Sequence, residues 1–184
     1  MAVRTDAAVP GAVAAPDVEM KLRANRLFTV VAIAALVVGV LSALGGIGGA
    51  FYTYQQAAIE NIVTPDDARV PGAAVRGPLT MWAQSDIITH HQLDRTGGLR
   101  YAEMERMVPM MDEAGAPVLD DTGAPVMVPN EARASWLDAT TLTTVLGVGI
   151  LAYAFSAFAF FAGLVLAGVG LILLRLRRGL VLVK

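Results

Sequence analysis

The chain has 184 residues, 55% of them hydrophobic and 16% charged, with a mean hydropathy of +0.58 and a net charge of −2. Soluble domains carry about 25% charged residues, so this composition excludes an ordinary soluble enzyme and points to a bilayer as solvent. The absence of cysteine excludes disulfides, thiol catalysis, thiolate metal sites and cysteine-linked lipid anchors.

Residues 1–20, MAVRTDAAVPGAVAAPDVEM, are rich in Ala, Pro and Gly without apolar periodicity, which predicts a disordered tail. Residues 21–54 are expected to form a first transmembrane helix. The run 27–59 contains no Asp, Glu, Lys or Arg and exceeds the ~20 residues that cross a hydrocarbon layer. A cleaved signal peptide is the rival reading, because ALGGIGGA offers small residues to a peptidase. Against it, the apolar core is far longer than the ~7–15 residues of a signal h-region and follows a polar segment. The helix carries two ridges of small residues at four-residue spacing: Ala35, Gly39, Ala43 and Ser42, Gly46, Ala50. Such ridges let helices approach closely in lipid, where packing replaces the hydrophobic drive.

Residues 55–138 are expected to form a cap outside the membrane. Its base, residues 55–62, continues the first helix as a stalk above Tyr52 and Tyr54, which suit the membrane interface. From residue 78 to 107 the cap reads as helical: Pro78 sits at a first-turn position, and Gly97 and Gly98 supply a stop. Residues 108–129 read as an extended or hairpin insertion, because DEAGAPVL is followed at once by DDTGAPVM, an octapeptide repeat rich in turn-forming Asp and Gly.

Residues 139–174 are again free of charge and predict a second stalk and a second transmembrane helix, with Tyr153 at the interface. Its ridge Ala159, Gly163, Ala167 matches the first span. Ala35 with Ala167, Gly39 with Gly163 and Ala43 with Ala159 share the index sum 202, as facing positions of an antiparallel pair must. The expected fold class is therefore an all-α membrane protein: a two-helix transmembrane hairpin with a helical stalk and a small, mostly α, extracytoplasmic cap.

Charge sets the expected orientation. Lys21, Arg23 and Arg26 precede the first span, and the basic tail 175–184 follows the second. The loop 60–138 holds thirteen acidic residues against six arginines, a net of −7. Basic flanks stay inside, so the expectation is a multi-pass protein of the cytoplasmic membrane with both termini cytoplasmic and the central loop outside. Its partners would be the lipid bilayer and a membrane protein or a second copy; nothing suggests nucleic acid, and no cofactor is implied.

The only histidines, His90 and His91, lie within this cap. On a helix Asp86, His90 and Asp94 fall on one line, a weak metal or proton site, while His91 points about 100° away. Known helical zinc motifs pair histidines at i and i+4, and catalytic sites add a third protein ligand, so packing or solvation is the leading expectation for both. Leu79, Trp82 and Leu93 share that face and favour packing on the stalk.

The pattern GPLTMWAQSDIITHHQLDRTGGLRYAEM, after ENIVTPDDA and before RASWLDATTLTTV, resembles a family of small two-span actinobacterial membrane proteins. The resemblance covers about residues 27–174 apart from the repeat. It rests on Asn61, Asp66, Gly77, Pro78, Gln84, Asp86, Ile88, His91, Leu93, Gly97, Gly98, Tyr101, Ala102 and Glu103. Members are often labelled aromatic ring-opening dioxygenases, but the resemblance brings no established activity. Such chemistry needs two histidines and a carboxylate on one iron, and adjacent histidines diverge on a helix. His90 and Arg100 depart from the family pattern. Where Thr is expected, Arg100 leaves only the Glu103 half of a capping box before Tyr101, at a cost of about 1 kcal/mol. The expected role is an accessory or interaction protein presenting an acidic cap. A metal or pH sensor at His90 and His91 is the alternative, and the dioxygenase comes third.

Overall fold

The computed structural model describes residues 26–179; the N-terminal tail 1–20 and residues 180–184 lie outside them. Among these residues three helices dominate, in the order α1 (Arg26–Ile59), α2 (Pro78–Arg95) and α3 (Glu131–Gly179), with a 3-10 turn at Tyr101–Glu103. Two short strands, β1 (Met107–Pro109) and β2 (Met127–Pro129), pair antiparallel between α2 and α3. α1 and α3 are long and apolar enough to cross a membrane, with mean hydropathies of 2.7 and 2.6 over their most apolar windows. Only 17% and 11% of those windows is buried within the fold. A core helix of a soluble protein would show the opposite balance.

The two long helices meet along a line of small residues. Ala32, Gly39, Ala43 and Gly46 are the buried residues of α1, and Ser156, Gly163 and Gly170 face them from α3. A Cβ built on Gly39 would lie 2.7 Å from the Gly163 carbonyl oxygen and closer still to the Ala167 nitrogen. On Gly163 it would lie 2.6 Å from the Gly39 oxygen, on Gly46 2.5 Å from the Ser156 oxygen, and on Gly170 2.6 Å from the Leu36 nitrogen. All of these neighbours are backbone atoms, which cannot step aside. Ser42 adds a bond across the seam, its Oγ donating to the Ala159 carbonyl at 2.9 Å. Ala32, Gly39 and Gly46 recur every seven residues, as do Ser156, Gly163 and Gly170, so the closest approach follows a heptad as well as the four-residue ridges.

α1 ends where Asn61 adopts φ 51, a left-handed conformation that asparagine tolerates. The chain then folds back through a loop pinned by Thr64. Its amide donates to the Ala73 carbonyl at 2.9 Å, and its hydroxyl accepts from the Ala73 amide at 2.9 Å. This loop drives Val75, 2% exposed, into a cluster with Met81 of α2 and Leu146 of α3, against which Ala57, Ile62, Ile150 and Tyr153 pack. α2 opens with Gly77 as N-cap and Pro78 at its first turn, and Thr80 Oγ1 accepts from the Gly77 amide at 3.2 Å. It stops at Gly97 and Gly98, whose φ values of 62 and 86 suit residues without a Cβ.

Two sequence expectations need correction here. Helix does not resume to residue 107: beyond Gly98 only the turn at Tyr101–Glu103 forms, and Met104 returns to extended backbone. Glu103 supplies its half of the cap, accepting from the Arg100 amide at 2.7 Å, but one such bond does not sustain a helix. The last helix opens at Glu131 rather than at 139, because Asn130 caps it, accepting from the Arg133 amide at 3.2 Å.

The insertion closes on itself with approximate three-fold symmetry. Pro109-Met110-Met111, Pro117-Val118-Leu119 and Pro125-Val126-Met127 recur at eight-residue spacing. The Met110 amide donates to Val126, Val126 to Val118 and Val118 to Met110, each at 2.8 Å, so the three segments form a hydrogen-bonded ring. Between them, Asp112 Oδ1 accepts from the Ala114 and Ala116 amides, and Asp120 Oδ1 from those of Thr122 and Ala124. Gly115 and Gly123 take the positive φ of each turn. Pro109, Pro117, Pro125 and Pro129 stand opposite Met127, Met111, Leu119 and Met107. Bonds flank those pairs rather than running through them, so no proline is asked for an N–H it lacks.

The seam makes a sign-specific prediction. Gly→Ala in a helix is intrinsically favourable by roughly 1 kcal/mol, and Gly48 has open space for a Cβ. Gly48→Ala is therefore expected to hold or raise the melting temperature in detergent micelles, measured by circular dichroism. Gly39→Ala is expected to lower it, because the backbones must separate.

Candidate functional site

The exposed face of α2 and the loop preceding it hold the chemistry-bearing side chains of the cap. The loop 60–77 runs beside α2, so its polar residues reach across to the helix. His91 Nε2 lies 2.5 Å from Asp67 Oδ2, and Arg69 Nε donates to Asp86 Oδ2 at 2.8 Å. The Arg69 guanidinium also stacks over Trp82, 5.3 Å from the ring centroid. His90 sits 3.5 Å from Asp94 Oδ2, one helical turn on.

The line Asp86, His90, Asp94 does not converge on one point. Asp86 is drawn sideways to Arg69, which satisfies its charge, and only His90 and Asp94 remain neighbours. The two imidazoles, 6.5 Å apart between centroids, engage different carboxylates. Among the described residues no group of three or more His, Cys, Asp or Glu is placed to hold a metal ion. A facial triad of two histidines and a carboxylate is thus not assembled. Sequence reasoning missed Asp67 and Arg69. Their signal was the charge run DDAR ahead of the helix, which helical spacing alone does not connect to His91 or Asp86.

Other polar side chains serve as fasteners. Gln92 Nε2 donates to Ser135 Oγ at 2.6 Å, tying the end of α2 to α3. The Trp136 indole, buried, donates to the Leu99 carbonyl at 2.9 Å, just past the glycine stop. Arg133 covers the Tyr101 ring at 3.9 Å and donates to the Tyr101 carbonyl at 3.3 Å, which fixes the turn bearing Glu103. At the foot of the cap the Tyr153 hydroxyl donates to the Arg76 carbonyl, while Arg76 Nη1 donates to the Tyr54 hydroxyl at 3.4 Å. One residue thereby touches both long helices. Beneath it lies a cavity of about 500 Å³ walled by Gly46, Ala50, Pro78, Ile150, Tyr153 and Phe160, among others, with no charged group in its lining.

No family model matches the chain, and neither does any curated protein or any solved structure. The functional reading accordingly rests on these residues.

Asp67 provides a pH test. The hydrogen bond from His91, its largest influence, holds the carboxyl below the ordinary value of 3.8 against an opposing desolvation, with smaller lowering contributions from its own backbone amide and the two imidazoles. A depressed folded pKa means that the contact's stabilisation is fully present above 3.8 and lost as the pH falls through the folded value. Asp67→Asn is therefore expected to melt slightly below the native chain at pH 7. The two melting temperatures should converge as the buffer is taken below pH 3.8. An unchanged gap in acid would show that Asp67 acts through packing.

Proposed function

We propose that the chain is a two-span protein of the cytoplasmic membrane that presents a small acidic cap outside it to a protein partner. The observation that carries this reading is the uncovered apolar surface of α1 and α3, whose most apolar windows are only 17% and 11% buried. In water such a surface would cost about 25 cal/mol for every Å² exposed, whereas lipid removes that cost. The orientation follows from charge: the loop 60–138 has a net charge of −7, while Arg26, Arg175 and Arg177 flank the opposite ends of the long helices.

A binding role fits the cap better than catalysis does. Its polar side chains are spent on holding α2, the loop 60–77 and α3 together, and most of its charge lies on exposed turns. The reading of His90 and His91 as a pH or metal sensor draws on one observation, the Asp67–His91 pair, and both of its members are largely exposed to solvent. Exposed pairs of this kind are worth little energetically, so they bias a conformation only weakly.

The test uses the absence of native cysteine. In intact cells, a cysteine at Glu113 is expected to react with an impermeant thiol reagent and one at Ala12 to stay protected. Purification of the tagged chain in mild detergent is expected to bring down a stoichiometric protein partner, released as salt is raised because the cap is acidic. Labelling at Ala12 alone would reverse the orientation. One tightly held transition metal per chain that disappears with His91→Gln would favour the sensor instead.

A further inference from the structure

The proline-paired ring carries an apolar face that no other element covers among the described residues. Met107, Met111, Leu119 and Met127 are 43%, 56%, 56% and 49% exposed. Each stands opposite a proline. Residues paired across an antiparallel ladder share a face, and so do residues two apart along a strand. Met127 is opposite Pro109, and Met107 precedes Pro109 by two residues, so Met107 and Met127 lie on one face. Met111 follows Pro109 by two and holds the same position in the ring's three-fold repeat as Met127. Met127 therefore lies diagonally between Met107 and Met111. Diagonal neighbours stand roughly 7–8 Å apart between Cα atoms, a gap that two unbranched thioether side chains readily close.

Packing on proline does not by itself call for methionine, because Leu119 fills the equivalent place over Pro125. What distinguishes methionine is the lone pair on its sulfur. Thioethers are soft donors and prefer soft monovalent cations to Zn²⁺, Mg²⁺ or Ca²⁺. The electrostatic setting agrees: residues 107–132 contain Asp112, Glu113, Asp120, Asp121 and Glu131 and no Lys or Arg. The two aspartates of the turns already use an oxygen on backbone amides, and no cluster of His, Cys, Asp or Glu competes for a harder ion among the described residues. We propose that Met107, Met111 and Met127 form a three-thioether site for a soft monovalent cation, Cu(I) or Ag(I), on the uncovered face of the ring.

Silver serves as the probe because it does not change oxidation state. The full chain in detergent, labelled with ¹³C at the methionine methyl groups, is titrated with Ag(I) in chloride-free buffer and followed by NMR. The expected result is saturation at one Ag(I) per chain, with the Met107, Met111 and Met127 methyl signals moving together and that of the buried Met81 fixed. Met127→Leu, copying the natural Leu119, is expected to keep the circular dichroism spectrum and weaken Ag(I) binding at least tenfold. No methyl shift at saturating Ag(I), equal shifts at Met81 and at the three proposed ligands, or native affinity in Met127→Leu would each overturn the proposal.

Discussion

The close approach of α1 and α3 backbones at Gly39 and Gly163 is the constraint on which the rest of the molecule depends. Two helices in lipid gain nothing from hiding apolar side chains, since the surrounding hydrocarbon is equally apolar, so their association has to come from dense packing and polar contacts. The chain supplies both. Ala32, Gly39 and Gly46 let the Gly170, Gly163 and Ser156 backbone come within contact distance, and Ser42 places a hydrogen bond to Ala159 beside them. The bulky side chains, among them Phe155, Phe158 and Val165, are left pointing outward.

The cap inherits its position from that seam. With no disulfide available, residues 60–77 and α2 are held by one small apolar cluster around Val75, Met81 and Leu146 and by a few well-aimed hydrogen bonds. Arg76 is the clearest case: its carbonyl accepts from Tyr153 on α3, and its guanidinium reaches Tyr54 on α1. If the long helices slid or separated, that residue could not serve both. At the other end of α2, Gln92 and Trp136 perform a similar task against α3 and the Leu99 carbonyl. The ring of residues 109–127 is different in kind. Its hydrogen bonds are all internal to the segment, so its shape depends little on the helices below it.

What the sequence revealed, and what it hid, divides along physical lines. Uncharged runs of 27–59 and 139–174 show directly, because length and charge alone decide whether a helix can span a bilayer. Gly39 and Gly163 were legible because small residues at fixed spacing have one geometric consequence. The Asp86, His90, Asp94 line misled, since spacing along one helix says nothing of Arg69 and Asp67, which arrive from another segment and take Asp86 and His91 as partners. Arg133, Trp136 and Gln92 were likewise silent: each reaches a partner more than thirty residues away. The repeat was seen as two copies because its acidic turn marks them. The third segment at Pro109 lacks a preceding acidic turn, and it is recognised only from the bonds that close the ring.

Oxidative cross-linking between the two long helices is the most direct test of their close approach. Cysteines replacing Ser42 and Ala159 put sulfurs where the hydroxyl now bonds the facing backbone, at positions that already accommodate a Cβ. A disulfide needs Cα atoms within about 7 Å, so this pair is expected to close within one chain under mild oxidation. A pair at Val37 and Val165, both facing outward at 49% and 69% exposure, is expected to stay reduced. Closure of the valine pair with none at Ser42 and Ala159 would contradict the seam and, with it, the placement of everything built upon it.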